Sequence, residues 1–304
     1  MASIEISGVH AALLTPRNAD GEIDIPALGN LVHFVTKAGI SSFAINGATG
    51  EFCLITPAQL RTVLSTVKAA GEGNARVLCG VGAASSNQSI ELVRVAESEN
   101  VDGLLLPMPY FYPYEQEDLD LFCRTIAKST RLPVLLYNLP QFTSGLDKET
   151  VRVLITEVPN IVGIKDSSGS LDILRSLTEQ GVQASRIVGD DAILARALRE
   201  GICDGAVSGI AGVLPETILA LYERRHQSES NEFNSAERRI QEFIEQTKLF
   251  PYPWGLKWIA EARGLLEATI SLPTTQYRLE QKQQLVNWFA KWMDETPRAT
   301  DSAK

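Results

Sequence analysis

The sequence predicts an α/β fold, a (β/α)8 TIM barrel with a C-terminal helical extension. Three observations carry this. Short apolar runs alternate with longer helix-periodic ones, strand after helix, roughly eight times before Arg225, the order of a parallel barrel. The short runs are too apolar to alternate cleanly, which fits strands covered on both faces. After Arg225 only helical patterns remain.

In chain order, strands are read at Ala11–Leu14, Ser42–Asn46, Val77–Val81, Gly103–Leu106, Val134–Tyr137, Ile161–Lys165, Arg186–Val188 and Gly205–Ser208. Between them fall helical patterns over Ile25–Lys37, Ala58–Ala69, Ser89–Glu99, Glu117–Ala127, Lys148–Thr156, Asp172–Glu179 and Ala192–Arg199. The helix near Pro57 has the clearest start: Thr56 as N-cap, Pro57 at the first position and Gln59 as capping-box partner. Gln227-Ser228-Glu229-Ser230-Asn231 is polar and linker-like, and helices follow at Glu237–Gln246, Trp254–Ala262 and Gln281–Trp292. Residues 1–227 are therefore expected to form the barrel carrying the active site, and 228–304 a helical extension packed on it. Thr296–Lys304 is small and polar and is expected to fray.

The totals exclude several function classes. The chain has 304 residues, 44% hydrophobic and 21% charged, ordinary for a soluble globular protein. A net charge of −9 argues against nucleic acid, whose phosphates demand clustered Lys and Arg. The four cysteines, Cys53, Cys79, Cys123 and Cys203, are scattered without a CxxC pair and read as small buried hydrophobes in a reducing cytoplasm. Three histidines, His10, His33 and His226, are too few for a His-rich metal site. Met1-Ala2-Ser3-Ile4-Glu5 has no basic region and no long apolar stretch, so no signal peptide is expected. No apolar run approaches ~18 residues, so no membrane span is expected.

Lys165 closes the apolar strand Ile161-Val162-Gly163-Ile164-Lys165. In this fold chemistry lies at the carboxyl ends of the strands. An apolar surround disfavours an ammonium ion, and a free amine attacks a ketone to make a Schiff base. The plainer alternative is a strand-end lysine whose stem packs while its amine reaches water. Side chains alternate along a strand, so Lys165 shares a face with Gly163, expected to leave room above it.

Other strand ends supply candidates for the same mouth. Gly47 and Gly50 of Asn46-Gly47-Ala48-Thr49-Gly50-Glu51 let the backbone turn sharply, and successive N–H groups there can form an anion nest; a tight turn that merely needs glycine is the alternative. Glu51 is expected to pair within the loop. Tyr137 ends the fifth strand on the inward face, where a phenol can shuttle protons; a core tyrosine with a satisfied hydroxyl is the alternative. Pro107–Tyr114 is a proline-rich aromatic loop fit for a pocket wall, a subunit contact or a rigid rim. Gly189-Asp190-Asp191 ends the seventh strand with two acids, which can bond a polyol or cap the next helix; Asp191 is read as the cap. Ala206-Val207-Ser208-Gly209 ends the eighth, its carbonyls facing the same mouth.

Together these segments resemble the dihydrodipicolinate synthase / N-acetylneuraminate lyase family of class I aldolases over nearly the whole length. The matches come in order: Gly47-Ala48-Thr49-Gly50-Glu51, Tyr137-Asn138-Leu139-Pro140, Gly163-Ile164-Lys165, Gly189-Asp190 and Ala206-Val207-Ser208-Gly209. The resemblance implies a (β/α)8 barrel with a helical extension, usually a homotetramer, acting in the cytoplasm without metal or organic cofactor. It implies that Lys165 forms a Schiff base with pyruvate or another 2-keto acid, that Tyr137 transfers protons, and that the Ala48–Thr49 backbone holds the substrate carboxylate. Gly189, Val207 and Phe142 are expected on the substrate side.

Three departures bear on the branch. Ala48 replaces a hydroxyl residue of the carboxylate loop. Phe111 stands where the synthases carry a relay tyrosine, and Gln141-Phe142 where they carry Ser-Arg, whose arginine grips the aldehyde's carboxylate. These argue against lysine-pathway synthesis, whereas Gly189-Asp190-Asp191 looks closer to the synthases. The first reading is an aldolase or dehydratase of a small 2-keto acid or 2-keto-3-deoxy sugar acid. The alternatives are 4-hydroxy-tetrahydrodipicolinate synthase and a non-catalytic keto-acid-binding paralogue.

Overall fold

The computed structural model describes residues 5–295. Eight parallel strands, β1 (Gly8–Ala12), β2 (Ser42–Ile45), β3 (Arg76–Gly80), β4 (Gly103–Pro107), β5 (Val134–Asn138), β6 (Ile161–Asp166), β7 (Ser185–Val188) and β8 (Gly205–Ser208), close into a barrel in chain order. Eight helices alternate with them: α1 (Ile25–Lys37), α2 (Pro57–Ala70), α3 (Ser86–Ser98), α4 (Gln116–Lys128), α5 (Lys148–Glu157), α6 (Asp172–Glu179), α7 (Leu194–Glu200) and α8 (Pro215–Tyr222). Three more follow: α9 (Asn231–Thr247), α10 (Trp254–Ala262) and α11 (Gln276–Asp294). The anticipated fold class is thus observed.

Two layers of apolar side chains hold it. Ala12, Ala44, Leu78, Leu105, Leu135 and Ile187 fill the barrel interior, while their strand neighbours, such as Phe43, Leu104, Leu136 and Ile164, pack outward under the helices. Most strand side chains are thereby taken from water, Arg76 at the start of β3 being exposed, which explains the absence of alternation. Each large aliphatic side chain so buried stabilises by about 1.5–3 kcal/mol. Phe243, Trp258, Phe289 and Trp292 of the extension belong to the same outer layer as the barrel helices. The α2 start has the predicted capping box: Gln59 N–H donates to Thr56 Oγ1 at 3.2 Å and Thr56 N–H to Gln59 Oε1 at 3.3 Å.

Several elements differ from expectation. β1 begins at Gly8 because Gly8–Ala11 pair with Gly205–Ser208 of β8; Leu13 and Leu14 are buried beyond the strand end. Helix α8 was hidden in a run too apolar to show a face, although Pro215 at its start was a usable sign. Helix α9 starts inside the linker-like segment, since the Ser230 side chain accepts from Phe233 N–H at 3.2 Å and caps it. Helix α11 starts at Gln276, with Thr275 as cap. Cys53 is exposed rather than buried; Cys79 and Cys123 are buried and Cys203 partly so, and all four are free. Thr296–Lys304 lies outside the described residues. Among the described residues no helix is long and apolar enough to cross a membrane.

The barrel also buries His10, on β1 opposite Val207, only 5% exposed. Burial lowers its pKa from 6.5 to about 4. The unfolded chain then takes up a proton that the folded chain refuses, so this residue's contribution to stability is lost as pH falls from 6.5 toward 4. Wild-type protein is expected to lose on the order of 3 kcal/mol more unfolding free energy than His10→Asn between neutral pH and pH 4. Urea titrations of both proteins measure this; parallel losses contradict it.

Candidate active site

Tyr137 of β5 and Lys165 of β6 are register partners, near the carboxyl ends of neighbouring strands and facing the barrel interior. Lys165 is 4% exposed and Tyr137 is buried. Lys165 Nζ lies 3.7 Å from the centroid of the Tyr137 ring. The contact is thus with the ring face. A polar pair behind them fixes the register: Asn138 Nδ2–H donates to Asp166 Oδ1 at 3.0 Å, the same oxygen accepts from Ser168 N–H at 3.0 Å, and Asn138 Oδ1 accepts from Leu146 N–H. Burial raises the Asp166 pKa, and these hydrogen bonds oppose the rise.

The glycines act differently from the sequence reading. A Cβ on Gly163 would lie 2.1 Å from the Ser185 carbonyl oxygen, so Gly163 lets β6 approach β7 rather than clearing space for the lysine. Gly189 does that: a Cβ there would fall 2.7 Å from Lys165 Cε and 2.1 Å from Ser167 Oγ.

The loop after β2 turns through Asn46 and Glu51, both with positive φ. Its internal bonds use the N–H groups of Glu51 and Phe52. The N–H groups of Ala48 and Thr49 donate to no acceptor among the described residues, as an anion-binding loop requires. Glu51 does not pair within the loop; its carboxylate meets Lys257 Nζ of α10 at 2.5 Å, with both side chains buried. Removing either partner would strand a buried charge, typically costing 3–5 kcal/mol. The extension therefore anchors this loop.

The acids also differ from their expected roles. Asp190, not Asp191, caps the following turn, its Oδ1 accepting from Ala192 N–H at 3.0 Å. Asp191 reaches across to β8: Oδ2 accepts from Ile210 N–H at 3.3 Å, and the Ser208 hydroxyl also bonds it. Burial pushes its pKa up to about 6 against those two bonds, with Asp190 adding to the rise.

Lys165, Tyr137, Ala48, Thr49, Gly189, Val207 and Phe142 all line one cavity of about 370 Å³ at the carboxyl ends of the strands. Phe142 is 53% exposed at its rim. Phe111 is 83% exposed and lines an adjoining hollow instead, shared with Phe142 and Tyr252. The sequence reading missed Ser167 and the side of the cavity built by the extension, including Thr247, Tyr252 and Leu256. The available signal was Phe250-Pro251-Tyr252-Pro253, a proline-bracketed aromatic between two helices. No group of three or more His, Cys, Asp or Glu among the described residues is placed to hold a metal ion.

A model of the dihydrodipicolinate synthetase family matches residues 5–291. The chain belongs to that family. It is accordingly a lyase of the class I aldolase type. It is 30% identical to the 4-hydroxy-tetrahydrodipicolinate synthase of Cellvibrio japonicus over 281 residues, 92% of this chain and 97% of that protein. Identity to the enzyme of that name from Thioalkalivibrio sulfidiphilus is 32% over 271 residues, 88% of this chain and 92% of that one. Among solved structures, the chloride-inhibited dihydrodipicolinate synthase of Acinetobacter baumannii, complexed with pyruvate, superposes with a TM-score of 0.87 at 26% identity, covering 95% of this chain and 99% of that one.

Proposed function

We propose that this family member is a Schiff-base-forming lyase, an aldolase or dehydratase, acting on pyruvate or a small 2-keto or 2-keto-3-deoxy sugar acid. One observation carries the reading: a buried primary amine lies 3.7 Å over the Tyr137 ring, in a cavity whose opposite wall offers the free N–H groups of Ala48 and Thr49. Those N–H groups take the carboxylate, which sets the neighbouring ketone carbon against Lys165 Nζ. Attack gives a carbinolamine, and its hydroxyl leaves as water with a proton from Tyr137. The resulting iminium draws electrons from the adjacent bond, so cleavage or dehydration passes through an enamine. The same reading takes the protein as a cytoplasmic homotetramer.

Gly189 tests the geometry. Gly189→Ala should push Lys165 and Ser167 out of place, and a displacement of about 1 Å can cost 10²-fold in rate. Turnover is expected to fall by about that factor while circular dichroism shows an intact barrel; undiminished turnover contradicts it.

The relatives' names favour a second reading, 4-hydroxy-tetrahydrodipicolinate synthase. Against it, Phe142 supplies no cation for a second carboxylate. A screen of 2-keto-3-deoxy acids, scored by pyruvate or semialdehyde release, separates the two. The first reading expects turnover of at least one such acid and little condensation of pyruvate with aspartate semialdehyde. The reverse pattern establishes the synthase, and inertness in both assays a binding protein.

A further inference from the structure

The free N–H groups of Ala48 and Thr49 owe their direction to the two residues that follow the turn. A peptide unit is planar, with its N–H and C=O pointing in opposite directions. The Thr49 N–H shares its plane with the Ala48 carbonyl, which accepts from Glu51 N–H at 3.0 Å. The Ala48 N–H shares its plane with the Gly47 carbonyl, which accepts from Phe52 N–H at 3.2 Å. Consecutive donors thus hold both planes from behind, and the backbone at Glu51 decides where those donors lie.

Glutamate is an unusual choice there. The Glu51 backbone is left-handed, with φ 55° and ψ 51°, a conformation that strains any residue carrying a Cβ. Such strain persists only where the surroundings over-determine it, commonly at a ligand clamp. At Glu51 the restraint comes through the side chain. It is buried, and its Oε2 lies 2.5 Å from Lys257 Nζ of α10. That oxygen has no other partner among the described residues, so the lysine alone offsets its burial. Lys257 is fixed in turn: its Nζ donates to the Thr269 carbonyl at 2.8 Å, and Thr269 Oγ1 donates to the Arg17 carbonyl at 2.7 Å. The ammonium is therefore a fixed point, bound between the extension and the segment that follows β1.

We propose that Lys257 is a positioning residue for carboxylate recognition: through Glu51 it locks the left-handed turn that aims the Ala48 and Thr49 N–H groups at the substrate. This presupposes the Schiff-base reading, in which those groups take the carboxylate of the keto acid. Neither Lys257 nor Glu51 lines the cavity, so neither touches the substrate, and both act through the backbone of the loop. Lys165 is held separately, by β6. Releasing the turn should therefore weaken the grip on the carboxylate and leave the amine as reactive as before. The helical extension thereby takes part in selecting 2-keto acids over ketones that lack a carboxylate.

The test traps the imine with cyanoborohydride and reads the initial rate of adduct formation on Lys165 by mass spectrometry. Pyruvate is compared with hydroxyacetone, a ketone of similar size whose hydroxymethyl group replaces the carboxylate. Each is used below saturation, at a concentration giving a measurable wild-type rate. Lys257→Met alone leaves Glu51 as an unpaired buried charge and can unfold the chain. The double variant Lys257→Met with Glu51→Gln removes both charges, keeps the side-chain lengths and still lacks the ion pair. In it, trapping with pyruvate is expected to slow by at least about 10-fold, the scale of one lost hydrogen bond to a charged group, while hydroxyacetone keeps its wild-type rate. A double variant that traps pyruvate as fast as wild type, slows equally with both ketones or fails to fold overturns the positioning role and leaves the pair as a structural contact. Wild-type protein that forms no pyruvate adduct on Lys165 overturns the Schiff-base reading instead, and the positioning role with it.

Discussion

Lys165→Met is expected to be folded and inert. The stem that packs in the barrel survives as methionine, and the substitution removes a buried amine with no hydrogen-bond partner among the described residues. Thermal stability should therefore hold or rise, since an unpaired buried polar group opposes folding. Activity should fall by a factor on the order of 10⁴ to 10⁶, the usual cost of deleting a covalent nucleophile. The other lysine lining the cavity, Lys248, follows the last residue of α9 and is paired with Glu245. Initial rates and a melting curve on the same preparation check both halves. Turnover comparable to wild type removes Lys165 from the chemistry, whereas an unfolded variant makes it structural.

Tyr137→Phe is the second large effect. The ring that lies under the amine remains, so Lys165 keeps its position and substrate binding should change little. Only the hydroxyl is lost, and with it the donor for water departure. A positioned acid or base is commonly worth 10² to 10⁴ in rate, and the expected loss lies within about that range. It should appear in kcat with KM nearly constant. A variant with unchanged kcat, or one whose KM alone rises, assigns Tyr137 to packing or binding.

These two residues were legible in the sequence because strand ends are. A lysine or tyrosine closing an apolar run has its direction fixed by the two-residue period of the strand, and the barrel frame then places it at the mouth. The loop with Gly47 and Gly50 was legible because closely spaced glycines mark a sharp turn, although its positive φ angles fall on Asn46 and Glu51. What the sequence hid lies across the chain. Tyr252 meets Thr49 over a separation of 203 residues, and Lys257 meets Glu51 across the same gap between extension and barrel. No local pattern specifies such pairs, because they depend on how α9 and α10 dock. The same limit explains the glycines. Gly163 and Gly189 look alike in sequence, and only the register of β6 with β7 shows which neighbour each accommodates. The eighth helix was obscured by the opposite problem: flanking apolar residues made its buried face indistinct.

The most direct test is reduction with borohydride in the presence of pyruvate, followed by mass spectrometry of the intact chain and of its peptides. One reduced pyruvyl adduct per chain is expected, located on Lys165 and absent from Lys165→Met. An unmodified chain with every 2-keto acid tried, or an adduct on another lysine, contradicts it.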